Sequence, residues 1–255
     1  MNAERIQQAI ISGTGLLAQA LQIQEKHLSG AFLFARGVSD STCIDIEQFH
    51  RERDQLYSAL SQCHDDGRVF VYFSSAGTIY GQCASVRDEF TPLQPTTVYG
   101  EFKVAFESIV RSAGVPHLIV RLPNLVGPSQ NHRNLLPALI RQAAGGRVTL
   151  HRDATRDILD VRDVGRIISE LLARGVRDET LLLASGISLP VIDLFSLIQQ
   201  YTGLHAKIAV QPGGTPQAFD ISKLCRLLGQ NSIFSGDYPN RVIREYAPAI
   251  ARSLG

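Results

Sequence analysis

Tyr99 and Lys103 stand four residues apart in Pro-Thr-Thr-Val-Tyr-Gly-Glu-Phe-Lys. On a helix, that spacing puts a phenol and an ammonium on one face. An ammonium beside a phenol favours the phenolate and lowers its pKa. A tyrosine so placed passes a proton to or from a sugar or alcohol oxygen near neutral pH. Ordinary surface helices carry the same spacing, so its meaning rests on the surrounding segments. Ile11-Ser12-Gly13-Thr14-Gly15-Leu16-Leu17-Ala18 reads as Gly13-x-Gly15-x-x-Ala18, or as Ser12-x-x-Gly15-x-x-Ala18. Between a strand and a helix, such glycines let the backbone approach a pyrophosphate at the helix N-terminus. An ordinary strand–helix turn is the plain alternative. Phe73-Ser74-Ser75-Ala76-Gly77-Thr78-Ile79-Tyr80-Gly81 places hydroxyls where a strand would end. They could hydrogen-bond a substrate oxygen beside the tyrosine, or form a simple Ser/Gly turn.

These segments need elements to hold them, and the hydrophobic pattern supplies them. Short apolar runs alternate with helical patterns, as in an α/β protein with a parallel sheet. Ala9-Ile10-Ile11 reads as a first strand and Leu16 to Gln24 as the helix after it. Ala31 to Ala35 predicts a second strand, and Ile46 to Cys63 a helix with Phe49, Leu56 and Leu60 on its apolar side. Arg68 to Ser74 predicts a third strand, and Val98 to Ser112 the helix of Tyr99 and Lys103. His117 to Leu122 and Thr180 to Ala184 predict a fourth and a fifth strand. A single helix separates Ala35 from Arg68, so the N-terminal half is abbreviated. The expected ribose-binding acid is also missing: Ala35-Arg36-Gly37 stands about 20 residues past the glycine turn, where that acid belongs. Arg36 could pair with a 2′-phosphate and favour NADP, or it could be a surface arginine.

The 255 residues are 44% hydrophobic and 19% charged, which suits a globular chain with a sizeable core. A net charge of +1 with scattered Lys and Arg argues against a broad nucleic-acid surface. Cys43, Cys63, Cys83 and Cys225 have no Cys-x-x-Cys spacing, and the histidines are dispersed, so no metal site is expected. Reduced structural thiols in a cytoplasmic protein are the simplest reading. The first eight residues are too polar for a signal peptide, and no run of about 18 apolar residues predicts a membrane span. Arg51-Glu52-Arg53-Asp54 reads as a solvated helix face.

Taken together, the segments resemble the extended short-chain dehydrogenase/reductase family, specifically its NAD(P)-dependent sugar-nucleotide epimerases, dehydratases and reductases. Ser74-Ser75-Ala76-Gly77-Thr78-Ile79-Tyr80-Gly81 is similar to the family's Ser-Ser-x-x-x-Val-Tyr-Gly segment. Glu89-Phe90-Thr91-Pro92-Leu93-Gln94-Pro95, followed by Tyr99-x-x-x-Lys103, resembles its approach to the active site. Arg121-Leu122-Pro123-Asn124-Leu125-Val126-Gly127-Pro128 resembles its Arg-x-x-Asn-x-x-Gly-Pro strand end. Asn134-Leu135-Leu136-Pro137, the segment from Arg156 to Val164, and Asp220-Ile221-Ser222-Lys223 resemble later family segments.

The resemblance implies a Rossmann-like doubly wound parallel sheet, here abbreviated, with a small substrate-binding lobe. Residues 1–125 with about 161–185 would form the cofactor-binding domain, and about 126–160 with 186–255 the lobe. Tyr99 would be the general acid/base, and Lys103 would lower its pKa and bind the nicotinamide ribose. Ser12, Gly13, Gly15, Leu16, Leu17, Ala35, Arg36, Ser74 and Pro123 would line NAD or NADP. Asn124, Asn134 and Arg156 would contact a nucleotide-sugar substrate. The simpler roles for these three are a turn cap, a helix cap, and a surface ion pair with Asp153 or Asp160. Pairing through the Tyr99 helix would make a homodimer. The implied activity is epimerisation, or reduction of a 4-keto sugar, in surface polysaccharide or glycoconjugate synthesis. A weakly catalytic nucleotide-binding regulator, or a reductase of a non-sugar carbonyl, are the alternatives.

The departures are as informative. Ala76 stands where the family's catalytic Ser or Thr falls, so Ser75 or Thr78 must supply that hydroxyl. Gly77-Thr78 replaces the Asp-Glu pair of the dehydratases, which disfavours loss of water. Phe34-Ala35-Arg36-Gly37-Val38-Ser39 resembles the family's later, cofactor-lining strand rather than its ribose-binding one. The adenosine half of the site would then lie open on one side.

Overall fold

The computed structural model describes residues 8–81, 86–128 and 130–254. Cys83 and the residues before Gln8 lie outside them. In chain order the elements begin with β1 (Ile10–Ser12), α1 (Leu16–Ile23), β2 (Ala31–Phe34), α2 (Ile46–Asp66), β3 (Val69–Ser75), α3 (Val98–Ser112) and β4 (His117–Leu122). There follow β5 (Asn124–Val126), α4 (Leu135–Ala144), β6 (Arg147–His151), β7 (Thr155–Asp160), α5 (Val161–Ala173), β8 (Glu179–Leu182) and β9 (Ser188–Pro190). The last are α6 (Val191–Thr202), β10 (Lys207–Gln211), α7 (Ser222–Leu228) and α8 (Tyr238–Leu254).

The chain divides into two compact units. The first comprises the segments up to Ile79, Pro95–Arg121 and Val161–Leu181. The second comprises Tyr80–Gln94, Leu122–Asp160 and the chain from Leu182 onward.

The first unit is built on a five-stranded sheet of order β1-β2-β3-β4-β8. β1–β2 and β2–β3 are parallel, with Ile10 opposite Phe32 and Phe32 opposite Phe70. The α/β class expected from the sequence is therefore present, and so is the abbreviation. A doubly wound sheet has strands on both sides of β1. Here the order runs outward from β1 in one direction, and β1 is the edge strand among the described residues. Side chains alternate across a strand. Phe32, Phe34, Phe70, Tyr72 and Ile119 therefore face one layer, where Phe49, Leu56 and Leu60 of α2 and Phe106 and Val110 of α3 complete the core. Leu33, Val71 and Phe73 point to the other face and are buried too. α1 packs against α5.

Local signals explain the helix limits. Asp45 caps α2 by accepting from Glu47 N, and Gly67 ends it in the left-handed region at φ 64°. The helix thus runs past Cys63, where the sequence reading stopped, to Asp66. Thr97 caps α3 by accepting from the Gly100 amide at 3.1 Å. β8 begins one residue earlier and ends two earlier than the expected fifth strand.

The second unit contains a three-stranded sheet β5-β7-β9 and a two-stranded sheet β10-β6. Helix α8 packs on α4, α6 and β7. Its two tyrosines fasten the end of β7: Tyr238 Oη accepts from the Asp160 amide at 2.9 Å, and Tyr246 Oη donates to Asp160 Oδ1 at 3.1 Å.

Candidate functional site

Helix α3 turns Tyr99 and Lys103 toward the strand end of β3, as the four-residue spacing requires. Lys103 is 4% exposed. Its Nζ lies 5.5 Å from the ring centre of Tyr99 and 5.5 Å from that of Tyr72 on β3. The Tyr99 ring is half-buried and meets the edge of Phe49 at 6.3 Å. Ser75 is a hydrogen-bonding neighbour of the Tyr99 phenol. Thr78 Oγ1 donates to Ser75 Oγ at 3.1 Å. Tyr99, Lys103, Ser75 and Thr78 are therefore gathered at one place. Ala76 is buried and brings no hydroxyl there. Ser74, expected along the cofactor, is buried beside Glu107 on α3.

The residue that the sequence reading missed is Glu52. Its carboxylate Oε1 accepts from Lys103 Nζ at 2.7 Å, with the two side chains 1% and 5% exposed. Its Oε2 accepts from the Val38 amide at 2.8 Å. The expected solvated run is corrected at this position: Arg51 and Asp54 are exposed and Arg53 is half-buried, but Glu52 is fully inside. The signal was available in the helical period. Glu52 follows Phe49 by three and precedes Leu56 by four, so it falls in the buried stripe of α2. Gly37 makes room for it. At φ +116°, a Cβ on Gly37 would stand 2.2 Å from the Glu52 carboxyl carbon.

This pairing changes the electrostatics expected of the Tyr-Lys pair. Burial pushes the Tyr99 phenol up, Lys103 draws it down, and Glu52 adds to the upward side. The net direction is upward, opposite to the simple expectation from an ammonium alone. Burial opposes the Lys103 charge, yet Tyr72, Glu52 and Tyr99 around it hold the ammonium above its usual range. Tyr99 therefore carries its proton at neutral pH. A second buried ion cluster lies one turn further along α3. Arg121 donates to Glu107 through Nε at 3.0 Å and Nη2 at 2.8 Å, and Arg111 adds a bond at 2.6 Å. It locks α3 onto β4.

The glycine turn is tested by the space around it. Gly13, at φ +140°, lies so close to the end of β2 that a Cβ would stand 2.2 Å from the Ala35 carbonyl oxygen. The structure thus brings the turn and Ala35 together. Gly15 is the N-cap of α1 with no side-chain cap, and a Cβ there would meet nothing within 4 Å. The first-turn amides of Leu16 and Leu17 are free of intrahelical partners by position. Beside Lys103, the Tyr72 hydroxyl is buried without a hydrogen-bond partner. Open amides at one end and an orphaned hydroxyl at the other fit the pyrophosphate and nicotinamide-ribose parts of a dinucleotide. The adenosine part finds less. No strand lies beyond β1 among the described residues, Ser12 is at that edge, and Arg36 is exposed at the end of β2.

The second unit holds the other expected residues. Pro123 separates β4 from β5. Asn124 Nδ2 donates to the Asp157 carbonyl at 2.9 Å, tying β5 to β7. Asn134 is the N-cap of α4 but makes no side-chain cap bond, so its amide is not spent on the helix. Arg156 forms neither ion pair weighed from the sequence. Its Nη1 donates to the carbonyls of Thr155 at 2.7 Å and Thr215 at 2.9 Å. Burial lowers its pKa. Next to it, burial pushes the Asp157 carboxyl up to about 7, although Ser185 N donates to it at 3.0 Å. No cluster of His, Cys, Asp or Glu that could hold a metal occurs among the described residues. No helix among them is long and apolar enough to cross a membrane.

The model of the NAD dependent epimerase/dehydratase family matches residues 34–184, more than half of the chain. The chain belongs to that family. Among its curated relatives, this epimerase/dehydratase-family chain is 28% identical over 160 residues to the GDP-6-deoxy-D-mannose reductase of Pseudomonas aeruginosa, covering 56% of this chain and 52% of the relative. It is 29% identical over 178 residues to the GDP-6-deoxy-D-talose 4-dehydrogenase of Aggregatibacter actinomycetemcomitans, covering 64% and 59%. The chain thus spans between half and three fifths of these relatives. Among solved structures, RMD from Pseudomonas aeruginosa complexed with NADPH superposes with a TM-score of 0.74 at 19% identity, over 97% of this chain and 98% of that one. UDP-glucuronic acid 4-epimerase from Bacillus cereus in complex with NAD gives 0.75 at 18% identity, over 92% and 77%. These likenesses establish the epimerase/dehydratase fold.

Proposed function

We propose that this chain is an NAD(P)-dependent enzyme of nucleotide-sugar metabolism, with Tyr99 as its general acid/base, reducing a 4-keto sugar or epimerising a sugar carbon. The observation that carries this reading is the gathering of the Tyr99 phenol, Ser75 and Thr78 above the buried Lys103 ammonium. A phenol that keeps its proton at neutral pH is ready to give it to a developing alkoxide. Reduction is therefore the favoured direction, and the reductase named among the relatives agrees with it. Ser75, with Thr78 behind it, would orient the substrate oxygen. The amides after Ser12, Gly13 and Gly15, with Leu16 and Leu17, would hold the cofactor's pyrophosphate, and Lys103 with Tyr99 its nicotinamide ribose. Ala35 and Pro123 would border the ring. When bound, the nicotinamide supplies hydride transfer at the sugar carbon. Arg156, a half-buried cation held on backbone carbonyls, suits a diphosphate, and Asn124 and Asn134 suit sugar hydroxyls. Surface polysaccharide or glycoconjugate synthesis, a cytoplasmic setting and a homodimer paired through α3 complete the reading.

The test is NADH- and NADPH-dependent turnover of GDP-, UDP- and dTDP-linked 4-keto sugars. Arg156→Ala is expected to raise KM for these substrates about 10–100-fold, in line with loss of a charge-assisted anion contact. An unchanged KM would count against a diphosphate substrate and favour a simple carbonyl compound. A second reading, a nucleotide-binding regulator with little catalysis, draws on the bare β1 edge. Turnover on any member of that panel removes it.

A further inference from the structure

We infer that Glu52 is a positioning residue for the Tyr99–Lys103 pair: its carboxylate fixes where the ammonium stands and leaves the buried cluster electrically neutral while the phenol is protonated. The inference rests on the proton-transfer reading proposed above.

Three separate elements meet on this one carboxylate. α2 delivers it, α3 delivers Lys103 to Oε1, and the segment after β2 delivers the Val38 amide to Oε2. Each oxygen has its own donor, so the carboxylate is held against rotation. Gly37 permits the approach, since any Cβ there would overlap the carboxyl group. Ala35 and Arg36 belong to the same segment, so the residue that holds Lys103 also holds the strand end beside the glycine turn. The Lys103 ammonium spends one proton on Glu52 and keeps the other two for what approaches from the side of Tyr99 and Tyr72.

The charge count decides the consequence. Glu52 contributes −1 and Lys103 +1, and the Tyr72 and Tyr99 phenols are neutral. Removing a proton from this cluster leaves a net negative charge away from water, which is costly. With Glu52 replaced by an amide, the cluster is cationic, and losing one proton makes it neutral. The first proton therefore leaves at lower pH in Glu52→Gln, whether Lys103 or Tyr99 releases it. The groups acting on the Tyr99 phenol are Lys103 on its own helix, Glu52 with Phe49 from α2, Tyr72 and Ser75 from β3, and Asp40 from the segment after β2. Asp40 acts in the same direction as Glu52, without touching Lys103, and serves as the control.

The experiment titrates the protein without substrate, by NMR of carbon-13 at Tyr Cζ and Lys Cε, with Tyr99→Phe and Lys103→Met assigning the two signals. In the wild type, neither group should release a proton below about pH 10, the ordinary phenol value. In Glu52→Gln, the first release should come at least about one pH unit lower than in the wild type. Asp40→Asn should move it by less than half as much. An unmoved titration in Glu52→Gln, or an equal shift in Asp40→Asn, overturns the assignment. If Glu52→Gln fails to fold, the double variant Glu52→Gln with Lys103→Met buries no unpaired charge. It must keep the phenol protonated to at least the wild-type pH, and a lower titration there also overturns the assignment. Because no turnover enters, the two readings fail separately. Expected shifts together with full turnover in Tyr99→Phe would leave Glu52 in place and remove the proposed function.

Discussion

One sheet carries two very different ends. At the carboxyl end of β3, Lys103 is enclosed by Glu52, Tyr72 and Tyr99, and Glu52 is tied in turn to the Val38 amide. At β1, three residues pair with β2 and, among the described residues, with no strand on the other side, so the glycine turn stands at the margin of the sheet. In the proposed function the first end handles the proton. The second would read the far half of a dinucleotide. The contrast shows that the two ends are built on different strands, so a sheet that stops at β1 among the described residues leaves the enclosed end intact.

The largest expected effect is at the enclosed end. Tyr99→Phe should lower kcat about 10²- to 10⁴-fold, the usual worth of a positioned acid/base, with little change in melting temperature. Full turnover would erase the contrast. Gly37→Ala should come next, costing about 2–4 kcal/mol in urea unfolding, because a Cβ must displace the Glu52 carboxylate from a strained backbone position. A stability loss under about 0.5 kcal/mol would mean that the enclosure yields easily. Asp157 gives a comparison from the second unit. Its folded pKa, about 7, lies above the ordinary carboxyl value, so the native state binds the extra proton. Its contribution is full at low pH and is lost as pH rises toward 7, at up to about 1.4 kcal/mol per pH unit. Asp157→Asn should therefore gain on the wild type in melting temperature between about pH 4 and pH 7 and level off above that. A flat difference would refute the shift. The smallest effect belongs to the open end. Arg36→Ala should change the Kd of NADPH by less than about threefold, consistent with an exposed charge, and the wild type should separate NADH from NADPH by no more. A larger preference in fluorescence titration would show that the β1 side does read the cofactor.

Much of the enclosed end was legible in the sequence. α3 and β4 fall where the pattern put them, because Thr97 caps the helix and the β4 run is apolar but for His117 and Arg121. Glu52 was not, because four charges in a line look like a surface until they are wound onto a helix. Glu52 and Arg53 then flank the stripe of Phe49 and Leu56, and only Glu52 is buried. The direction of the Tyr99 shift was missed because the lysine was counted without the burial of the phenol, to which Glu52 adds. The bonds of Arg156 reach Thr215, 59 residues away, a distance no local pattern spans. Strand order is also set by pairing between distant segments. The shortness of the N-terminal half pointed to a missing part of the sheet, but the edge position of β1 had to be observed.

That edge has a practical side. A dinucleotide held on the glycine turn as proposed would carry its adenine past β1, beyond which no further strand pairs among the described residues. A linker attached to the adenine ring is expected to leave on that side. Cofactor grafted to a bead or a polymer should then serve about as well as cofactor free in solution, which a comparison of rates at equal cofactor concentration would check.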